Sequence, residues 1–185
     1  MGIAMRETLG ADSKSVINFF DDGQDKVRVA YRTATGGGTS YFTAATNNTV
    51  PVWLKLSRAG DDFTGWYSSD GVNWTTLGTA NVTMSNTIYV GLVVCSRNTS
   101  TLNTGTFDNL SGDAWDLWLS QDVGAVVTTG GASETNGVFT VSGAGADIGS
   151  TADAFHFLHM NMIGDGTFVA RLVSPTSAIR GGVRI

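Results

Sequence analysis

The apolar residues of this chain recur at every second position in short runs, and almost never with the spacing of a helix. Val52, Leu54 and Leu56 alternate with Trp53, Lys55 and Ser57; Val27, Val29 and Tyr31 alternate with Arg28, Ala30 and Arg32. Phe63, Gly65 and Tyr67 alternate with Thr64 and Trp66, while Ile88, Val90, Leu92 and Val94 line one face of a further run. Successive side chains of a strand point to opposite faces, so the pattern describes strands with one buried face. Between them stand turn dipeptides: Asp22-Gly23, Gly60-Asp61, Asp70-Gly71, Asn136-Gly137 and Asp165-Gly166. Asn136-Gly137 and Asp165-Gly166 predict type I′ hairpin turns, whose central residues take positive φ. Strands are expected over 2–8, 14–20, 26–33, 40–45, 51–58, 62–68, 73–77, 80–84, 87–96, 104–110, 123–128, 137–142, 154–162, 167–173 and 180–185. That many short strands separated by turns predict an all-β, two-sheet antiparallel sandwich.

Composition narrows the function classes. Hydrophobic residues make up 42% of the chain, enough to exclude disorder, and charged residues only 15%. A low-charge chain rich in Thr, Ser and Gly is common among secreted bacterial β-proteins, which points to an extracellular or cell-surface location. The net charge of −5 argues against sequence-independent nucleic-acid binding, which needs a basic face. No run approaches the roughly 18 apolar residues of a membrane helix, so no membrane insertion is expected. Met1 leads straight into a strand-like segment, without the pattern of a signal peptide. Cys95, the sole cysteine, has no partner for an internal disulfide or a CxxC motif and reads as a small buried hydrophobe.

The end of the chain restates its beginning: laying Gly182 on Gly2 puts Val183 on Ile3 and Ile185 on Met5. Longer motifs give this frame a meaning. Trp115, Trp118 and Gln121-Asp122-Val123-Gly124 are followed by Phe139-Thr140-Val141-Ser142-Gly143-Ala144-Gly145-Ala146-Asp147-Ile148, Thr151-Ala152-Asp153-Ala154-Phe155-His156-Phe157 and Gly164-Asp165-Gly166-Thr167-Phe168. Residues 1–110 carry Val52-Trp53-Leu54-Lys55-Leu56, Tyr67-Ser68-Ser69-Asp70-Gly71-Val72-Asn73-Trp74, Tyr89-Val90-Gly91-Leu92 and Phe107-Asp108-Asn109-Leu110. Together these resemble the concanavalin A-like lectin/glucanase repeats, some of them regulation-of-enolase-like, strung in tandem through large secreted bacterial proteins. The order here is second part, then first part. The resemblance implies a jelly roll cut mid-domain: 1–110 as the second part of one repeat, 111–114 as a linker, and 115–185 as the first part of the next repeat or of the same one permuted. It also implies a non-catalytic role. The chain departs from the family pattern at Gly149, where an aromatic usually stands, and at Arg97, where a His is common.

Candidate chemistry is sparse. Ser69 to Trp74 reads as a hairpin whose Asp70 side chain caps the turn above Trp74. A glycosidase needs two flanking carboxyl groups, and neither Glu7 nor Glu134 has an acidic partner two residues away, so no enzyme activity is expected. His156 and His159 fall on opposite faces of one strand and read as neutral, hydrogen-bonded structural residues. A calcium ion is the one metal candidate, through loop carboxylates of Asp147, Asp153 and Asp165, with Asp108 beside them. Sugar stacking would use Trp53, Trp66, Tyr41 and Tyr67, since Trp53 and Trp66 stand out of phase with the apolar positions. Asn47, Asn73, Asn81, Asn98 and Asn109 open Asn-x-Ser/Thr sequons, many of which arise by chance in a chain of this composition.

The expected function is a structural repeat of an extracellular filament, sheath or adhesin. Its neighbours would be identical or homologous units, joined by strand complementation in which Gly2, Ile3 and Met5 or Gly182, Val183 and Ile185 fill one slot. The alternative expectation is a lectin-like module that binds glycans.

Overall fold

The computed structural model describes residues 1–46, 48–111 and 118–176. Part of the expected linker, Trp115, Asn47, and the C-terminal strand with Gly182, Val183 and Ile185 lie outside the described residues. Fourteen strands are described: β1 (Gly2–Arg6), β2 (Ser15–Asp21), β3 (Lys26–Arg32), β4 (Ser40–Thr46), β5 (Val52–Ala59), β6 (Asp62–Ser68), β7 (Thr75–Asn81), β8 (Thr87–Val94), β9 (Asn98–Ser111), β10 (Leu119–Val123), β11 (Gly131–Thr135), β12 (Val138–Gly145), β13 (Phe155–Ile163) and β14 (Gly166–Thr176). They form two antiparallel sheets of seven, in the orders β10-β13-β8-β1-β2-β3-β4 and β11-β12-β9-β14-β5-β6-β7. The chain is an all-β sandwich.

Alternation builds the core between the sheets. Ile3, Met5, Val16 and Val29 of the first sheet meet Leu54, Leu56, Phe63, Phe107, Phe168 and Leu172 of the second, all essentially inaccessible to water. Each such side chain contributes about 1.5–3 kcal/mol by leaving water. One polar residue crosses this core: Asn18 of β2 donates from Nδ2 to the carbonyl oxygens of Lys55 (3.1 Å) and Trp66 (2.7 Å), tying one sheet to the other. The outer face of the first sheet is apolar too. Ala4, Ile17, Phe19, Val93, Phe155 and Phe157 form a second cluster there, with Ile148 from the loop between β12 and β13. Consequently β1 and β2 are buried on both faces, unlike ordinary sandwich strands.

Strands from either side of residues 112–117 stand in both sheets. β13 lies between β10 and β8, β14 lies between β9 and β5, and β1 fills the place between β8 and β2. The two segments therefore close on each other within one chain.

Four expectations about elements need correction. The strands expected at 73–77 and 80–84 are a single strand, β7, followed by a loop that still buries Val82 and Met84. Within β7, Gly78 gives room to Phe42, whose ring would lie 2.6 Å from a Cβ at that position. The strand expected at 123–128 ends at Val123, because Leu119–Val123 pairs with β13 and Gly124 turns the chain with φ of 74°. β11 escapes sequence reading because Gly131–Thr135 is a largely exposed edge strand without alternation. Asn136-Gly137 has the expected positive φ at both residues (53° and 78°), but the turn before β14 centres on Gly164 (φ 72°) and Asp165, one residue earlier than expected. A glycine in the first central position is the type II′ arrangement.

Candidate functional site

The outer face of the second sheet gathers three half-buried tryptophans, Trp53, Trp66 and Trp74. Trp53 and Lys55 project outward from β5 because Val52, Leu54 and Leu56 take the inward phase. Antiparallel pairing sets Trp66 of β6 opposite Lys55, and Arg171 of β14 opposite Trp53. The Lys55 ammonium stands 4.5 Å from the Trp66 ring centre and 4.1 Å from that of Trp74, a cation held between two indoles. Partial burial lowers the pKa of Lys55. The Arg171 guanidinium lies over Trp53 at 5.6 Å and binds the Asp108 carboxylate of β9 at both Nε and Nη2. That hydrogen bonding holds Asp108 below the usual carboxylate range and raises Arg171.

The turn from 69 to 74 folds onto this face. Asp70 Oδ1 accepts from the backbone N–H groups of Val72 and Asn73, both at 2.8 Å, and Oδ2 accepts from Asn73 Nδ2 at 2.7 Å. These bonds, with the Asn73 side chain first, hold Asp70 well below the ordinary range. Gly71, at φ of 76°, lies against the Trp53 indole so closely that a Cβ would sit 2.8 Å from the ring. The strip running Trp74–Lys55–Trp66 and Trp53–Arg171–Asp108 is therefore rigidly built, with cations already stacked on its rings.

Asp108 also borders a groove of about 500 Å³, lined with Asn109, Trp118, Asn136, Val138 and Phe139. Trp118 and Phe139 stand 5.4 Å apart at 58°. The Asn136-Gly137 turn is braced by a hydrogen bond from the Gly137 N–H to Glu134 Oε1 at 2.6 Å. Asn109 interrupts β9 with φ of 49° at an irregularity in its pairing with β14, which turns its side chain toward solvent.

The other expected site residues do not converge there. Tyr67 points inward and packs on the core, whereas Tyr41 is on β4 of the opposite sheet, its hydroxyl donating to the Ile148 carbonyl at 3.3 Å. The three carboxylates expected for calcium each have protein partners. Asp153 is buried, its Oδ2 accepting from Arg6 Nη1 (2.6 Å) and Arg32 Nη1 (3.0 Å), its Oδ1 from Arg32 Nη2 (2.9 Å) and the Gly149 N–H (3.0 Å). Asp147 Oδ1 caps the Ile148 N–H at 2.8 Å, and Asp165 Oδ1 accepts from the Gly60 N–H at 2.7 Å. Among the described residues, no three His, Cys, Asp or Glu side chains are grouped to hold a metal ion.

His156 matches its expected structural part, with Nδ1 at 2.7 Å from Asp122 and Nε2 at 2.6 Å from Ser120. His159 does not: it is buried, among the described residues without a hydrogen bond at either ring nitrogen, between Phe157 and an edge-on Tyr89. Burial, and secondarily His156, lowers its pKa. Cys95 is a half-buried free thiol pushed up by burial.

Sequence reading missed Lys55, Trp74, Arg171, Arg6 and Arg32. Charged residues at inward or paired positions of strands were the available signal, but which charge meets which depends on register between distant strands. Comparison with family models, curated proteins and solved structures gave no match to the chain.

Proposed function

We propose that this protein is a non-catalytic structural module of an extracellular or cell-surface assembly, a concanavalin A-like jelly roll completed by strand complementation. The reading is supported above all by the position of the later strands: β14 sits inside the second sheet between β9 and β5, and β13 joins β10 to β8. Without them, the inward faces of Leu54, Leu56 and Phe107 and the edges of β5, β8 and β9 would be open. A neighbouring copy that exchanged residues 118–176 would make the same contacts, so closure within a chain and exchange between chains share one interface. Glu7 and Glu134 have structural partners, Glu7 bonding Lys14 and Ser85 and Glu134 bracing its turn.

Light scattering of the purified chain over a range of concentrations tests the reading. A size ladder or filaments are expected; a 19.4 kDa monomer at every concentration would rule out exchange between chains.

A second reading, a glycan-binding module, is favoured by one observation: Trp53, Trp66 and Trp74 share one outer face with Lys55 and Arg171. Planar aromatic surface and fixed polar groups together suit a sugar, which has both an apolar face and a rim of hydroxyls.

A further inference from the structure

We infer that Ser120 is a nucleophile that accepts an acyl group from an ester or thioester, activated by His156 and Asp122. The inference goes beyond the structural reading and leaves strand closure untouched. A module that takes up one acyl group and keeps it is modified covalently and turns nothing over.

The local fold sets the three side chains in the order of a proton relay. Ser120 and Asp122 stand two residues apart on β10 and therefore share one face of the strand. His156 of β13 is paired with Asp122 in the antiparallel register. Its ring bridges the two, with Nδ1 2.7 Å from Asp122 Oδ1 and Nε2 2.6 Å from Ser120 Oγ. A carboxylate only accepts hydrogen bonds, so Nδ1 carries the proton and donates to Asp122. That leaves the Nε2 lone pair for the Ser120 hydroxyl, which donates to it. Hydroxyl, imidazole and carboxylate act in this order in acyl transfer to serine.

The imidazole and the carboxylate are held from several sides. His156 is 2% exposed. A Cβ at Gly130 would lie 2.5 Å from His156 Nδ1, and one at Gly143 2.8 Å from the His156 Cβ, so two glycines close on this side chain. The Gly130 N–H donates to both Asp122 oxygens, at 3.1 and 3.2 Å. Ser120, by contrast, is exposed. Among the described residues β10 is the edge of its sheet and pairs with β13 alone. An antiparallel strand turns alternate N–H groups to each side, so some amides of β10 face away from β13. Those amides are donors for the oxyanion that forms when Ser120 adds to a carbonyl.

The step balances within these groups. As the Oγ–C bond forms, the Ser120 proton passes to His156 Nε2, and Asp122 faces the resulting imidazolium. As the bond to the leaving group breaks, Nε2 returns that proton to the departing alkoxide or thiolate. The products are an ester at Ser120 and a free alcohol or thiol. An amide, with a far more basic leaving group, asks more of the same relay.

The test adds p-nitrophenyl acetate to the whole chain, follows p-nitrophenolate by absorbance and locates the acetyl group by peptide mass spectrometry. A burst of about one p-nitrophenolate per chain is expected, with the acetyl group on Ser120. Ser120→Ala, which removes only Oγ, should lose both burst and label. Asp122→Asn should slow the burst about a hundredfold, and Asp122→Glu, which returns a carboxylate, should recover part of the rate. Thermal melting checks that each variant is folded. Acetyl groups found only on lysines or the terminal amine, or a burst that persists in Ser120→Ala, would overturn the inference. A wild-type rate in Asp122→Asn would overturn the relay. Continued release of p-nitrophenolate after the burst, absent in Ser120→Ala, would uphold the nucleophile and overturn the non-catalytic part of the structural reading.

Discussion

Single residues here are decided by what they must be buried with. Arg6 and Arg32 are fully buried on the outer face of the first sheet, and Asp153 is the one carboxylate that both reach. Burial lowers the pKa of Arg6, against the pull of Asp153. Arg32 spreads its remaining donors over carbonyls of three loops, those of Ser13, Gly37 and Gly149 among them. The cluster is a staple that clamps the loop carrying Ile148 over the second apolar cluster. Asp153→Ala strands two buried guanidinium groups, and a loss of about 3–5 kcal/mol is expected in chemical denaturation. A loss below about 1 kcal/mol would mean that water reaches the arginines. His159 makes a separate prediction. Its folded pKa is lowered, so the unfolded chain takes up the proton first as pH falls through about 6.5. Its contribution is complete above that pH and declines below it, through the window down to the folded pKa, by at most about 1.4 kcal/mol per pH unit. His159→Phe, which keeps a ring between Phe157 and Tyr89, should flatten this part of the stability profile. Denaturant midpoints compared at neutral and mildly acidic pH will measure it; unchanged pH dependence would show that the ring is already solvated.

Elements are placed by the few positions where they cannot keep a side chain apart. Gly91 in the middle of β8 is one: a Cβ there would lie 2.0 Å from the Leu158 carbonyl oxygen and 2.7 Å from the His159 Cα of β13. Those are backbone atoms, which cannot rotate away. Gly91→Val should thus separate β13 from β8, costing about 3 kcal/mol or more. Hydrogen exchange would then show early loss of protection along β13, whereas uniform weakening over both sheets would argue against a local clash. Strands of this kind were legible when alternation was clean: β3, β5, β6 and β8 stand within a residue or two of their expected bounds. β7 and β11 were not. In β7 the run Thr75–Asn81 is mostly exposed and shows no clean apolar alternation. In β11 an edge strand with little buried surface carries no apolar signal to read.

At the scale of the whole molecule, the interleaving of early and late strands makes the chain one cooperative unit. β5 has β14 on one side and β6 on the other, so neither segment keeps its sheet without the other. Thermal unfolding is accordingly expected as a single transition, with near-ultraviolet and far-ultraviolet circular dichroism coinciding. Two resolved transitions would indicate segments that fold separately and would weaken the case for mutual complementation. The same interleaving is why an exchange between copies would need no new contacts, only a different partner for old ones.

Much of this architecture was already determined along the chain. Apolar alternation defined which residues face a core, since a strand's side chains alternate whatever lies opposite. Turn chemistry at Asn136-Gly137 and Asp70 followed from backbone preferences that act over three or four residues. The phase of Trp53 and Trp66 likewise placed them on an outer face. Tertiary structure alone decided the partners: that Lys55 meets Trp66 and Trp74, that Asp153 serves two arginines, and that Asp108 borders a groove with Trp118. These contacts join strands distant in sequence, and their identity rests on strand order and register, which pairing between whole sheets selects and no local pattern encodes.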